Sequence, residues 1–239
     1  MLANVLVGHF FIYKEESFME KKFSTRVIVE IAIFAAIAVS LDFIQGSFFK
    51  GIWANGGSLG IAMVPIFIIA YRRGLLSGLL CGLIVSIVQM LGGIYVIQGS
   101  TFDNAFMQAM GPFIQIMLDY VLAYTVVGFA GAFAGLYAKG KDLKTKIIWI
   151  VVGSFIGGFL KFLCHFFAGF FWLNMYNEPF WGVNDTTWVY SLVYNGTYCI
   201  PNAILCSVIM GLIAKFYPQL LTTEKESQEA EVKEEKTNE

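Results

Sequence analysis

The sequence predicts an all-α fold: a polytopic membrane protein built as a bundle of six transmembrane helices with both termini cytoplasmic. Three observations predict it. Hydrophobic residues make up 57% of the chain and charged residues only 14%, a balance unlike that of ordinary soluble domains. The apolar residues come in runs of about twenty, the length a helix needs to cross a hydrocarbon core of roughly 30 Å. Lysines and arginines gather between alternate runs, the asymmetry that orients a multi-pass chain.

In chain order the runs are 25–44, 59–71, 75–97, 112–137, 147–172 and 190–216. Lys21, Lys22 and Arg26 precede the first. The second is short, and the Gly56-Gly57-Ser58 turn before it permits a partly buried or re-entrant helix, since irregular backbone is tolerated at membrane depth where it lines a protein cavity. Arg72 and Arg73 separate the second from the third, Lys139 to Lys146 separate the fourth from the fifth, and Lys215 follows the sixth. If six helices alternate, these cations share one side, and only Lys50 and Lys161 depart from it. Residues 23–221 therefore read as one six-helix membrane domain, for which the polar residues below suggest a substrate-binding role. Residues 1–22 read as an N-terminal extension, a mis-called start or an interfacial anchor, because Met19 opens Met-Glu-Lys-Lys directly before the first run. Residues 222–239, alternating Glu and Lys, read as a disordered charged cytoplasmic tail. Cys81, Cys164, Cys199 and Cys206 lie inside apolar runs without metal-ligand spacing and read as small core residues.

Polar residues inside these runs need a reason, because ionisable groups at bilayer depth are costly. Lys161 and His165 interrupt the fifth run, and at about 100° per residue Lys161, His165, Gly169 and Trp172 share one sector: a cation, an imidazole, a gap and an indole on one face. In the fourth run Gln115 and Asp119 lie one turn apart, with Tyr120 beside them. An Asp119–Lys161 pair could simply lock two helices together. Against that, the sixth run opens with Tyr190, Ser191, Tyr194 and Asn195, which enter at the same depth. The connections on that side also carry Trp53, Asn55, Tyr95, Asp103, Trp181 and Trp188; such aromatics belong equally to an interfacial belt, but a belt leaves the buried polar residues unexplained. A carboxylate, aromatic faces, an amide and an imidazole together suit an aromatic, nitrogen-rich cation.

The same residues carry a resemblance. Residues 30–36 (EIAIFAA), Gly56-Gly57-Ser58, Tyr71-Arg72-Arg73-Gly74, Asp119-Tyr120, Lys161-Phe162 with His165 and Gly169, and Tyr190-Ser191-Leu192 with Asn195-Gly196 resemble the thiamin-specific S-component of energy-coupling factor (ECF) transporters, over residues 23–221. The resemblance implies a high-affinity thiamin-binding subunit of an ABC-type importer in the bacterial cell membrane. It implies that Trp53 and Trp172 stack on the ligand rings, and that Asp119, His165, Tyr190 and Asn195 hold its polar edges. Lys161, Tyr120, Gly169 and Ser191 would complete the wall, with Tyr95 paired to a family tyrosine. The family pattern has Glu where this chain has Asp119, and its stacking Trp lies one residue further from the His than Trp172 does. The implied partners are thiamin, a transmembrane coupling subunit, two ATPase subunits that use the ATP, and the lipid bilayer, with no nucleic acid and no cofactor of the chain's own. The small-residue strip Ala32, Ala36 and Ser40 lets another helix approach closely in lipid. The resemblance makes Ala32 and Ala36 the docking face for the coupling subunit; packing within the chain is the alternative. The 46–59 connection is expected to close the pocket.

Enzymatic readings find little support: the chain has no His-Glu-x-x-His and no Gly-x-Ser-x-Gly, and no Walker-type phosphate loop with which to use ATP itself. The competing readings are an S-component for another vitamin or a thiamin precursor, and a secondary transporter working alone, for which a paired internal repeat would be the sign.

Overall fold

The computed structural model describes residues 24–49, 52–53, 56–172 and 187–223, apart from the side chains of residues 101, 172 and 187. The expected extension 1–22, the tail from residue 224 onward, Lys50, Asn55, Trp181 and the indole of Trp172 lie outside that set. Among the described residues the fold is all helical, with no strand. Helix α1 runs Thr25–Phe48, α2 Val64–Arg73, α3 Leu75–Leu91, α4 Ala105–Ala138, α5 Leu143–Trp172 and α6 Thr187–Phe216. Four of them, α1, α4, α5 and α6, are long and apolar enough to cross a membrane.

Helix α1 buries a single stripe, Val27, Ile31, Ala35 and Ala38, whose spacing is that of one helical face. Its remaining apolar side chains, Ile28, Ile33 and Ile37 among them, are exposed. Helix α2 is the reverse. Every residue from Val64 to Tyr71 is buried, as expected of a helix apolar all round. The Tyr71 hydroxyl donates to the Trp149 and Ile150 carbonyls at 3.0 and 3.2 Å, fixing α2 against α5. Gly74, at φ 87°, makes the sharp turn into α3 that an L side chain would resist.

The two largest departures from the expected boundaries are in the third and fourth helices, while the second starts at Val64 and not at residue 59. The third helix ends at Leu91 and not near residue 97, because Gly92 and the left-handed Gly93 (φ 116°) break it. The fourth begins at Ala105 and not at Pro112, because Asn104 caps it by accepting from the Met107 N–H at 2.8 Å. Pro112 lies inside α4. Further along, α4 is irregular: a π turn spans Met117–Leu122 and a 3₁₀ stretch spans Val126–Phe133. That second stretch and the turn just before it pack backbone to backbone on α3. A Cβ on Gly82 would stand 2.2 Å from the Tyr124 carbonyl oxygen, and one on Gly128 would stand 2.3 Å from the Gly78 backbone, so small residues permit the approach. Between α4 and α5, Asp142 caps α5 by accepting from the Thr145 N–H at 2.7 Å, which holds its carboxyl below the usual range.

The two ends of the bundle are built differently. At one end Glu30 of α1 bridges Arg73 (2.7 Å from both Nε and Nη2), Arg72 (3.2 Å) and Arg26 (3.4 Å). Arg72 also donates to the carbonyls of Gln219 (3.0 Å) and Thr222, tying in the segment after α6. At the other end the helices part around a cavity. The four cysteines are free and buried.

Candidate ligand-binding site

The cavity has a volume of about 750 Å³, within the ~300–1,000 Å³ typical of small-molecule sites. It opens between α1, α3, α4, α5 and α6 and the 56–58 turn. The structure brings to its wall Trp53, Tyr95, Asp119, Tyr120, Lys161 and His165, and from the α5–α6 seam Gly169, Tyr190, Ser191 and Asn195. Of the sequence-chosen site residues only Trp172 is missing, its side chain lying outside the described set.

Asp119 and Tyr120 both reach this wall because they occupy the π turn of α4. Neighbours on an α-helix diverge by about 100°, and the wider π turn narrows that angle. The turn disturbs the backbone bonding. The Val121 carbonyl accepts from Ser86 Oγ of α3 at 3.0 Å and from Thr125 Oγ1 at 2.6 Å. Asp119 is then held from two sides, its Oδ1 standing 2.9 Å from His165 Nδ1 and its Oδ2 accepting from Gln115 Nε2 at 3.1 Å. The acid thus faces His165 and does not lock α4 to α5 through Lys161. The fully buried Gln115 and the Tyr120 hydroxyl also hold the backbone around Tyr95: Gln115 Nε2 reaches the Tyr95 carbonyl at 3.4 Å, and the Tyr95 N–H donates to Tyr120 at 2.9 Å. Tyr95's own ring is 76% exposed, at the rim.

The α5–α6 seam is tighter than the sequence reading expects. Gly169 is not a gap in the pocket wall. A Cβ there would stand 2.0 Å from Ser191 Oγ, and Ser191 in turn donates to the Phe166 carbonyl at 2.6 Å. Asn195 Nδ2 donates to the His165 carbonyl at 3.0 Å, and Asn195 Oδ1 accepts from the Tyr198 hydroxyl at 2.7 Å. Asn195 therefore joins α6 to the helix turn that carries His165. Trp53 is nearly buried, its indole N–H on Thr197 Oγ1 at 2.9 Å and its ring edge-on to Tyr198. Described parts of the 46–59 connection rest on α6 through Tyr194, which donates to the Gly56 carbonyl at 2.9 Å, and Asn202, which donates to the Ser58 carbonyl at 2.7 Å.

A second acid completes the cavity, and sequence reasoning missed it. Asp42 of α1 accepts from Gln45 Nε2 at 3.1 Å, from Gln89 of α3 and from the Tyr124 hydroxyl of α4. Lys161 Nζ stands 3.3 Å from the centre of that same Tyr124 ring, a cation–π contact. The signal was in plain view: Asp42 interrupts the first apolar run as Lys161 interrupts the fifth.

The thiamine transporter protein family model (Thia_YuaJ) matches residues 28–222. The chain is 34% identical over 201 residues to "Thiamine transporter ThiT" of Bacillus subtilis (strain 168), covering 83% of this chain and 95% of that protein. It is 30% identical over 205 residues to "Thiamine transporter ThiT" of Lacticaseibacillus paracasei, covering 81% and 89% respectively. A solved structure of ThiT from Listeria monocytogenes superposes with a TM-score of 0.65 at 26% identity, covering 82% of this chain and 97% of that one.

Proposed function

The chain belongs to the thiamine transporter family, and from that premise we propose that its cavity captures thiamin for an ECF-type importer. The observation that carries this reading is the pairing of Asp119 with His165 at 2.9 Å inside a 750 Å³ cavity walled by Trp53, Tyr190 and Tyr198. A carboxylate and an imidazole supply hydrogen-bonding partners for the aminopyrimidine edge. The aromatic faces attract the thiazolium, a contact worth on the order of 0.5–2 kcal/mol once desolvated. Tyr190, Ser191 and Asn195 shape the third wall, Lys161 and Tyr120 border it, and Gly169 admits α6 close to α5. Trp172 is proposed as a second stacking residue on the strength of the family resemblance alone.

In this reading α2 and α3 also cross the bilayer, giving six crossings, with the arginine end and both termini cytoplasmic and the cavity facing outward. The basic residues Arg26, Arg72, Arg73, Lys139 and Lys215 then share the inner side. The described part of the 46–59 connection, resting on α6, is the lid. Ala32, Ala36 and Ser40 are exposed on α1 whereas Ala35 and Ala38 are buried. This open strip supports docking on a transmembrane coupling subunit in preference to packing within the chain. Two ATPase subunits then supply the energy, since the chain has no phosphate loop.

The test is a titration of detergent-purified protein with thiamin, following tryptophan fluorescence, with riboflavin and biotin alongside. Saturable quenching at nanomolar to micromolar thiamin is the expected result. A response to another vitamin and none to thiamin overturns the substrate. For docking, Ala36→Trp is expected to leave binding intact and abolish uptake in cells; surviving uptake removes the strip from the docking face.

A further inference from the structure

We infer that Asp42 is a specificity-determining residue, giving the cavity a net negative lining that selects a monocation and rejects the same ligand once phosphorylated. The inference rests on the thiamin reading above. Among the described lining residues the formally charged groups are Asp42, Asp119 and Lys161, with His165 facing Asp119. Among these described groups, without Asp42 the Asp119 carboxylate and the Lys161 ammonium balance and favour neither sign. With Asp42 there is one carboxylate in excess.

The surroundings of Asp42 keep that excess in place. Its three hydrogen-bonding partners, the Gln45 and Gln89 amides and the Tyr124 phenol, are neutral donors, which stabilise a carboxylate without cancelling its charge. Lys161 is separated from Asp42 by the Tyr124 ring, with its ammonium over the ring face and the ring hydroxyl donated to the acid. Lys161 thus meets Asp42 by way of the ring and not as a direct hydrogen-bonded ion pair. Thiamin, with its single fixed cation, brings the lining to neutrality. Its monophosphate carries about −0.5 to −1 overall, because a phosphate ester contributes about −1.5 to −2 at pH 7. That ligand deepens the excess beside low-dielectric protein walls, where like charges repel more strongly than in bulk water.

A purely structural Asp42, tying α1 to α3 and α4, would alter both ligands equally; a charge determinant alters their ratio. Affinities for thiamin and thiamin monophosphate are to be measured by calorimetry at fixed ionic strength on wild-type protein, Asp42→Asn, Asp42→Glu and Lys161→Met. The thiamin-to-monophosphate affinity ratio is expected to fall at least tenfold in Asp42→Asn, to hold in Asp42→Glu and to rise in Lys161→Met. A ratio within twofold of wild type in Asp42→Asn overturns the inference, even if both affinities drop. Should Asp42→Asn not fold, a ratio that fails to rise in Lys161→Met overturns it equally. Wild-type protein that shows no saturable thiamin binding removes the functional reading itself, and the inference with it.

Discussion

The two ends of α1 hold an acid each, and the acids are treated in opposite ways. Glu30 is saturated by the guanidinium groups of Arg72 and Arg73, with Arg26 alongside. Asp42, twelve residues on and about 18 Å along the helix axis, has only neutral hydrogen-bonding partners. Around Glu30 the bundle is closed by side chains; around Asp42 it holds a 750 Å³ cavity. Saturated ion pairs hold helices at a fixed distance, while an acid left with neutral donors keeps a charge for something that arrives from outside. Burial of a carboxylate does not by itself distinguish a fastening from a binding site; the charge of its partners does.

Five substitutions sharpen or break this contrast. The largest effects are expected at the cavity end. His165→Ala should weaken thiamin binding at least tenfold with little change in melting temperature. Asn195→Ala should weaken it as much and also lower the melting temperature, since its amide bridges α6 to the His165 carbonyl. Unchanged thiamin affinity in both variants would detach the cavity from binding. At the other end, Glu30→Gln leaves Arg72 and Arg73 without their anion and should cost about 1–3 kcal/mol of stability, read by thermal melting, while thiamin affinity stays within threefold. Equal loss of affinity would erase the distinction between the ends.

Smaller is Ser86→Ala, which removes a donor to the Val121 carbonyl. A two- to fivefold loss of affinity is expected if the π turn aims Asp119, and no change if the turn holds without it. Smallest is Asp142→Ala, at the cap of α5 outside both ends. Because the folded state depresses this carboxyl, its stabilisation is present above about pH 4 and fades as pH falls through the lower folded value. The variant should melt slightly below wild type at pH 7, and the difference should vanish in acid.

Much of this architecture could be read from the chain. The apolar runs located the helices, and the rule that polar groups at bilayer depth need a reason pointed to Asp119, Tyr120, Lys161, His165, Tyr190, Ser191 and Asn195. Helical phase added Gly169, and the family resemblance added Trp53 and Tyr95; all ten line one cavity. Asp42 escaped because attention to the first run went to its small residues and not to its one interior acid near the far end. The early start of α4 is hidden in the sequence because Pro112 resembles a boundary, although a proline lacks only one donor and Asn104 supplies the cap. Gly169 was read as an empty place; its missing Cβ is taken up by Ser191, a fact that lies in the distance between two helices. Periodicity describes each helix alone, and what fills the space between helices is decided by their separation.

The π turn at Met117–Leu122 carries a consequence for chain length. Such a turn holds one residue more than the α-helix around it requires. Deleting a single residue within Met117–Leu122 would let α4 relax to ordinary α geometry, releasing the Val121 carbonyl from Ser86 and turning Asp119 and Tyr120 away from each other. The cavity wall is thus encoded partly as an insertion, and transplanting it onto another bundle requires copying that added residue along with the side chains.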